Sequence, residues 1–204
     1  RAKAGGATVL SLRSSDLGLL DVGANRRLVS LLDEDDTLVF VSAKAPAKTV
    51  SDMLVNIRIG EVVARALEEI SVSHVIYISS DAVYPDGVTP LCESSLVAPS
   101  DPHGMMHAAR ELMLKMTVED RLAILRPSTI YGVEDPHNSY GPNRFRRLAE
   151  QTETITLFGE GEERRDHVLI DDVAEIAWRC MARQTDGVLN VATGSSHSFR
   201  EVAE

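Results

Sequence analysis

The chain has only two cysteines, Cys92 and Cys180, in separate apolar-leaning segments with no metal-ligand spacing. A disulfide framework is therefore excluded, and a reducing cytoplasm is the expected compartment. No apolar run approaches the length of a membrane span, and no signal peptide is expected, so the reading includes no membrane partner. Positive charge is scarce: the formal net charge is −10. That argues against general nucleic-acid binding, and an anionic ligand would need a local basic site. Internal repeats, low-complexity tracts and long linkers are missing as well. What remains is a chain of 204 residues, 44% hydrophobic and 25% charged, long enough to bury a core without disulfides or metals.

The periodicities alternate. Residues 1–4 read as a helix tail, the glycine pair 5–6 as its cap, and 7–12 as a strand. Residues 37–43 form an apolar run of strand length. Residues 56–70 place Ile59, Val62, Val63, Ala66, Leu67 and Ile70 on one helical face. A buried-type strand follows at 73–80. A second helix at 103–118 has Met105, Met106, Ala109, Leu112, Met113 and Met116 on its apolar face, expected to pack mostly against the domain's own sheet. Another strand, 121–127, stops at Pro127. Residues 132–150 read as irregular. Short elements follow at 154–159, 171–182 and 198–204, the last opening on a Ser198-x-x-Glu201 capping box. Apolar strands separated by amphipathic helices imply an α/β fold, a Rossmann-type doubly wound parallel sheet with a small C-terminal substrate lobe. Residues 1–131 are assigned to the dinucleotide-binding domain and 132–204 to a mixed segment that contributes the lobe.

Ligands of such sheets lie outside the carboxyl ends of the strands, which directs attention to the residues after 43, 80 and 126. After the third strand's apolar run come Ser79 and Ser80, whose hydroxyls suit a substrate oxygen or a polar turn equally, and then Asp81. His103 and His107, one helical turn apart, share a face with Arg110 or Glu111 and Leu114. Such a pair reads as a metal pair, an acid/base pair or a solvated face. Arg164 and Arg165 interrupt an acidic stretch; they suit phosphate, or salt bridges to neighbouring carboxylates.

The ordered set SS-x-x-VY, paired residues four apart on a helix, LRPxxxYG, LFGxGxxRRDHVxxxDVA and GVLNVATG…SFREVAE resembles the extended short-chain dehydrogenase/reductases. These are the NAD-dependent epimerase/dehydratase family, acting mostly on nucleotide sugars. The resemblance covers nearly the whole chain. It implies NAD or NADP as cofactor, a nucleotide sugar or similar metabolite as substrate, and a homodimer through the helices at 56–70 and 103–118. It implies adenine contacts from Asp16 and Leu17, and a cofactor-bearing strand end at Val41, Ser42 and Ala43. It places Asn56 below the nicotinamide, Ser79 beside the cofactor, and Pro127 and Thr129 at the carboxamide. Ser80 would hold the reacting oxygen, Arg165 the substrate's diphosphate, and Asp81 would be a second acid/base group.

Three departures stand out. No glycine-rich phosphate loop occurs in the chain, so the resemblance implies a first strand and glycines ahead of Arg1, and a lobe continuing past Glu204. Thr129 replaces the usual substrate-side asparagine. The Tyr-x-x-x-Lys pair is His103-x-x-x-His107. Imidazole, unperturbed near pH 6.5, is a competent base without a lysine's help, so His103 could take the proton, with Ser80 positioning the oxygen and His107 donating to the ribose hydroxyls of the cofactor. Asp81 is followed by Ala82 rather than the glutamate of sugar dehydratases, which counts against dehydration. Three readings stay open: an oxidoreductase or epimerase using His103, a dinucleotide-binding protein without catalysis, and a metal site on the two histidines with Glu111.

Overall fold

A computed structural model of the protein describes residues 6–87, 90–135, 138 and 140–204. They form two compact units, residues 1–126 with 177–190, and 127–176 with 191–204. The break follows Arg126, where the sequence reading placed it after 131, and residues 177–190 return to the first unit.

The first unit is built on a sheet of order β1-β2-β3-β6, from β1 (Thr37–Phe40), β2 (His74–Ile78), β3 (Leu122–Pro127) and β6 (Gly187–Val191). β1, β2 and β3 run parallel, with Val75 opposite Leu122 and Val39 opposite Ile76. β2 and β3 are buried almost throughout, as continuous apolar strands in the middle of a parallel sheet must be. Helices α1 (Ala24–Val29), α2 (Val50–Glu69) and α3 (Pro102–Thr117) complete the core, which includes Phe40, Ile59, Val63, Tyr77 and Ile124. α2 begins earlier than the periodicity suggests, because Thr49 and Asp52 form a reciprocal capping box at its start. α3 starts on the Asp101 carboxylate, which accepts from the Gly104 amide at 2.7 Å, with Pro102 at a position where no amide is needed.

In the second unit β4 (Thr129–Tyr131) pairs in parallel with β5 (Arg164–Leu169), and β5 pairs antiparallel with β7 (Ser196–Ser198). Helices α4 (Pro142–Glu150) and α6 (Phe199–Ala203) belong to it, and α5 (Ile170–Arg183) runs from it into the first unit. The Ser198–Glu201 capping box forms as read.

Several expectations are corrected. The helix tail at 1–4 and the first glycine of its cap lie outside the described residues. No strand forms at 7–12: Val9 and Leu10 stay 52% and 64% exposed, because strand propensity is realised only against a partner ladder and none pairs there. Residues 154–159 are likewise irregular, while 142–150 is helical, Pro142 occupying its first turn. The largest correction is the orientation of α3. Met106, His107, Arg110, Glu111 and Leu114 are buried, whereas Met105, Leu112 and Met116 are 44%, 60% and 78% exposed. Arg110 and Glu111 can turn inward because each finds hydrogen-bonding partners there.

Candidate active site

The turn that follows β2 is set by a buried polar network in the first unit. Arg126 on β3 grips Glu111 on α3 with two bonds, Nε to Oε1 at 2.9 Å and Nη2 to Oε2 at 2.6 Å. Ser79 donates to the same carboxylate at 2.6 Å. Arg126 also donates to the Tyr84 hydroxyl at 2.8 Å, which in turn donates to Asn190 on β6 at 2.7 Å. Both charges are buried, so the pair is held by bidentate geometry and by the satisfaction of its remaining polar atoms. Ser79 is thereby committed to the protein's interior. Ser80 is half-buried, accepts from the Ala82 amide at 3.1 Å and donates to Asp81 at 3.3 Å.

The first turn of α3 lies against this segment. A Cβ built on Gly104 would sit 1.9 Å from the Ala82 carbonyl oxygen, so only glycine permits the approach. His103, beside Gly104, is half-buried, and its Nδ1 is sealed in without a hydrogen-bond partner. Burial holds its pKa below the ordinary value, with Arg110 adding to the effect and Asp101 opposing it. Its ring meets that of His107 edge-on at 4.8 Å. His107 points inward, its Nδ1 2.7 Å from the Tyr77 hydroxyl. Burial, then His103 and Arg110, push its pKa down to about 3. The metal reading needed Glu111 as third ligand, but that carboxylate is committed to Arg126 and Ser79.

Around the end of β1, Val41, Ser42 and Ala43 are exposed. Asn56 is fully buried beneath them. Its amide donates to the Lys44 and Asp52 carbonyls, and its oxygen accepts from the Lys44 amide and Arg110. Its hydrogen-bonding capacity is spent on shaping this loop, so the expected ligand contact is replaced by a supporting one. Asp16 is exposed, while its neighbour Leu17 is part of the core. Pro127, Thr129 and Arg165 belong to the second unit. There Arg165 donates to Glu163 at 2.8 Å, the salt-bridge arrangement that the acidic surroundings also allowed. Tyr77 and Arg126 carry the site's framework; the sequence marks Arg126 only as an arginine at a strand's end and does not mark Tyr77, since nothing in a strand's own pattern reveals which helix residue will meet it.

The model of the NAD dependent epimerase/dehydratase family matches residues 17–192. A dTDP-L-rhamnose 4-epimerase of Burkholderia thailandensis is 25% identical over 174 residues, covering 66% of this chain and 48% of that protein. A UDP-glucose 4-epimerase of Mycolicibacterium smegmatis is 31% identical over 119 residues, covering 55% of this chain and 38% of the other. The chain thus spans half or less of these relatives' length. Among solved structures, the Thermus thermophilus UDP-glucose 4-epimerase complex with NAD superposes with a TM-score of 0.77 at 25% identity, covering 91% of this chain and 65% of that one.

Proposed function

The chain belongs to the NAD dependent epimerase/dehydratase family, and we propose that it supplies cofactor-binding and proton-transfer residues of an NAD(P)-dependent oxidoreductase or epimerase acting on a nucleotide sugar. The observation that carries this reading is a half-buried His103 on the first turn of α3, which packs against the turn after Ser80, with burial holding the imidazole pKa below its ordinary value. The exposed backbone at 41–43 and the inward-sloping histidine pair fit the ribose and nicotinamide end of a dinucleotide, and Asp16 fits its adenine end. NAD in the Thermus structure and the nucleotide-sugar names of the relatives support the same ligand classes.

A bound nicotinamide would accept hydride from a sugar carbinol carbon. In the same step the chain must take the hydroxyl proton. Ser80 can turn its hydroxyl from Asp81 to the substrate oxygen. With Nδ1 of His103 sealed, Nε2 is the nitrogen left to receive the proton. An imidazole whose pKa lies below its ordinary value is unprotonated at neutral pH and ready as a base. The start of a helix also disfavours a cation there, which works in the same direction. Within the second unit, Arg165 would exchange Glu163 for a diphosphate group, the role that the family resemblance gives it. Two copies would pair across the exposed stripe Met105, Leu112 and Met116.

A second reading, dinucleotide binding without catalysis, is favoured by one observation: His107, buried and neutral, does not replace the lysine's charge. Titration with NAD and NADP, followed by turnover assays over a panel of nucleotide sugars, separates the two. Reduced cofactor that forms with the wild type and not with His103→Phe supports catalysis. Binding with no turnover on any sugar supports the second reading, and no binding of either dinucleotide defeats both.

A further inference from the structure

We infer that Arg110 and Tyr77 are positioning residues that hold His107 in one neutral tautomer, its Nδ1 accepting and its single N–H, on Nε2, free to donate. The tautomer follows from counting hydrogens. A guanidinium can only donate. Arg110 donates through Nε to the Asn56 carbonyl at 2.8 Å, through Nη1 to the Ser42 carbonyl at 2.9 Å and through Nη2 to the Asn56 side-chain oxygen at 3.1 Å. Its charge opposes the rise in the Tyr77 pKa, and the hydrogen-bond partner of the phenol oxygen among the described residues is His107 Nδ1. The phenol keeps one hydrogen of its own, and His107 Nδ1 stands 2.7 Å away to receive it. Burial pushes the Tyr77 pKa well above its ordinary value, so the phenol does not surrender that hydrogen. The proton of a neutral His107 is then left on Nε2.

The cation at the head of this chain has no carboxylate within salt-bridge distance among the described residues. Its other contacts are neutral, including the Phe40 ring 5.0 Å from its guanidinium carbon. Space for it comes from Gly60 on α2, where a Cβ would come within 2.8 Å of the Arg110 Cγ. The charged and titratable groups around His107 are His103, Arg110 and the buried Glu111, paired with Arg126, on its own helix, Tyr77 from β2, Asp81 in the turn packed on the helix start, and on α2 the Asp52 that is paired with Lys44 at 2.7 Å. A neutral His107 leaves His103 without a cationic neighbour one turn away. Its fixed N–H also offers a donor to a ribose hydroxyl, a use that rests on the proposed dinucleotide site, whereas the tautomer itself does not.

Ring-nitrogen NMR of the ¹⁵N-labelled chain tests this, the His107 signals being assigned by their loss in His107→Gln. The wild type should show the neutral Nε2–H pattern unchanged from about pH 8 to about pH 5. Tyr77→Phe, which keeps the ring, should give mixed tautomers, and Arg110→Met should raise the His107 pKa, while Arg110→Lys restores part of the wild-type behaviour. In Tyr77→Phe the NAD dissociation constant should also rise about tenfold, the worth of one oriented hydrogen bond. A wild-type His107 that titrates near its ordinary value, or carries its proton on Nδ1, overturns the inference, as does an unchanged tautomer in Tyr77→Phe. Absence of NAD binding with the Nε2–H pattern intact defeats the proposed function and leaves the tautomer standing.

Discussion

His107 ties stability to pH at the scale of one side chain. Its pKa is lowered in the fold, to about 3, so the unfolded chain binds the proton more readily. Its contribution is therefore complete above about pH 6.5 and is lost as the pH falls toward about 3. Across that window it is worth about 5 kcal/mol. Urea denaturation should show the wild type losing stability between about pH 6.5 and 5 more steeply than His107→Gln; parallel curves would remove His107 from the account. The Arg126–Glu111 pair makes a different demand. Glu111→Gln leaves a buried guanidinium short of its partner and should cost about 3–5 kcal/mol in the same assay. Replacing both residues with methionine should cost less than the single change, because no orphaned charge remains; equal or greater loss would contradict a penalty due to desolvation.

Helix α3 shows what a sequence pattern can hide at the scale of an element. Its existence and length are legible from periodicity, as is the existence of α2, β2 and β3, whose apolar runs need no distant partner to be recognised, while the true start of α2 is set by its capping box. Its rotation is not legible. Reading apolar residues as inward puts all the methionines on the sheet, but Met105 and Met116 face out while Arg110 and Glu111 bury beside Met106, because partners on α2 and β3 satisfy them. The short strands β4, β5 and β7 escaped for a related reason: residues such as Arg164, Asp166 and Ser196 carry no strand periodicity and are extended only through their pairing. The seating of α3 rests on Gly104. Gly104→Ala would drive a methyl into the Ala82 carbonyl, so thermal unfolding should report a loss of about 2 kcal/mol or more. Gly60→Ala, where the neighbouring atom at 2.8 Å belongs to the longer Arg110 side chain, should cost less. The reverse order would refute the close approach of helix and turn.

For the whole molecule, the outward methionine stripe predicts association. Light scattering on the wild type should give a dimer, and Leu112→Asp with Met116→Asp should give a folded monomer; a monomeric wild type would end the pairing proposal. The α/β architecture and the family were legible from ordered motifs, while the division of the candidate residues was not. His103, Ser80 and Asn56 fall in one compact unit and Thr129 and Arg165 in the other, a partition set by contacts between segments far apart in the chain. Arg110 also limits what position 107 can hold. A lysine there would set a second cation one turn from a guanidinium that has no carboxylate within salt-bridge distance among the described residues. Relief by losing Arg110 would leave Gly60 lining an empty space.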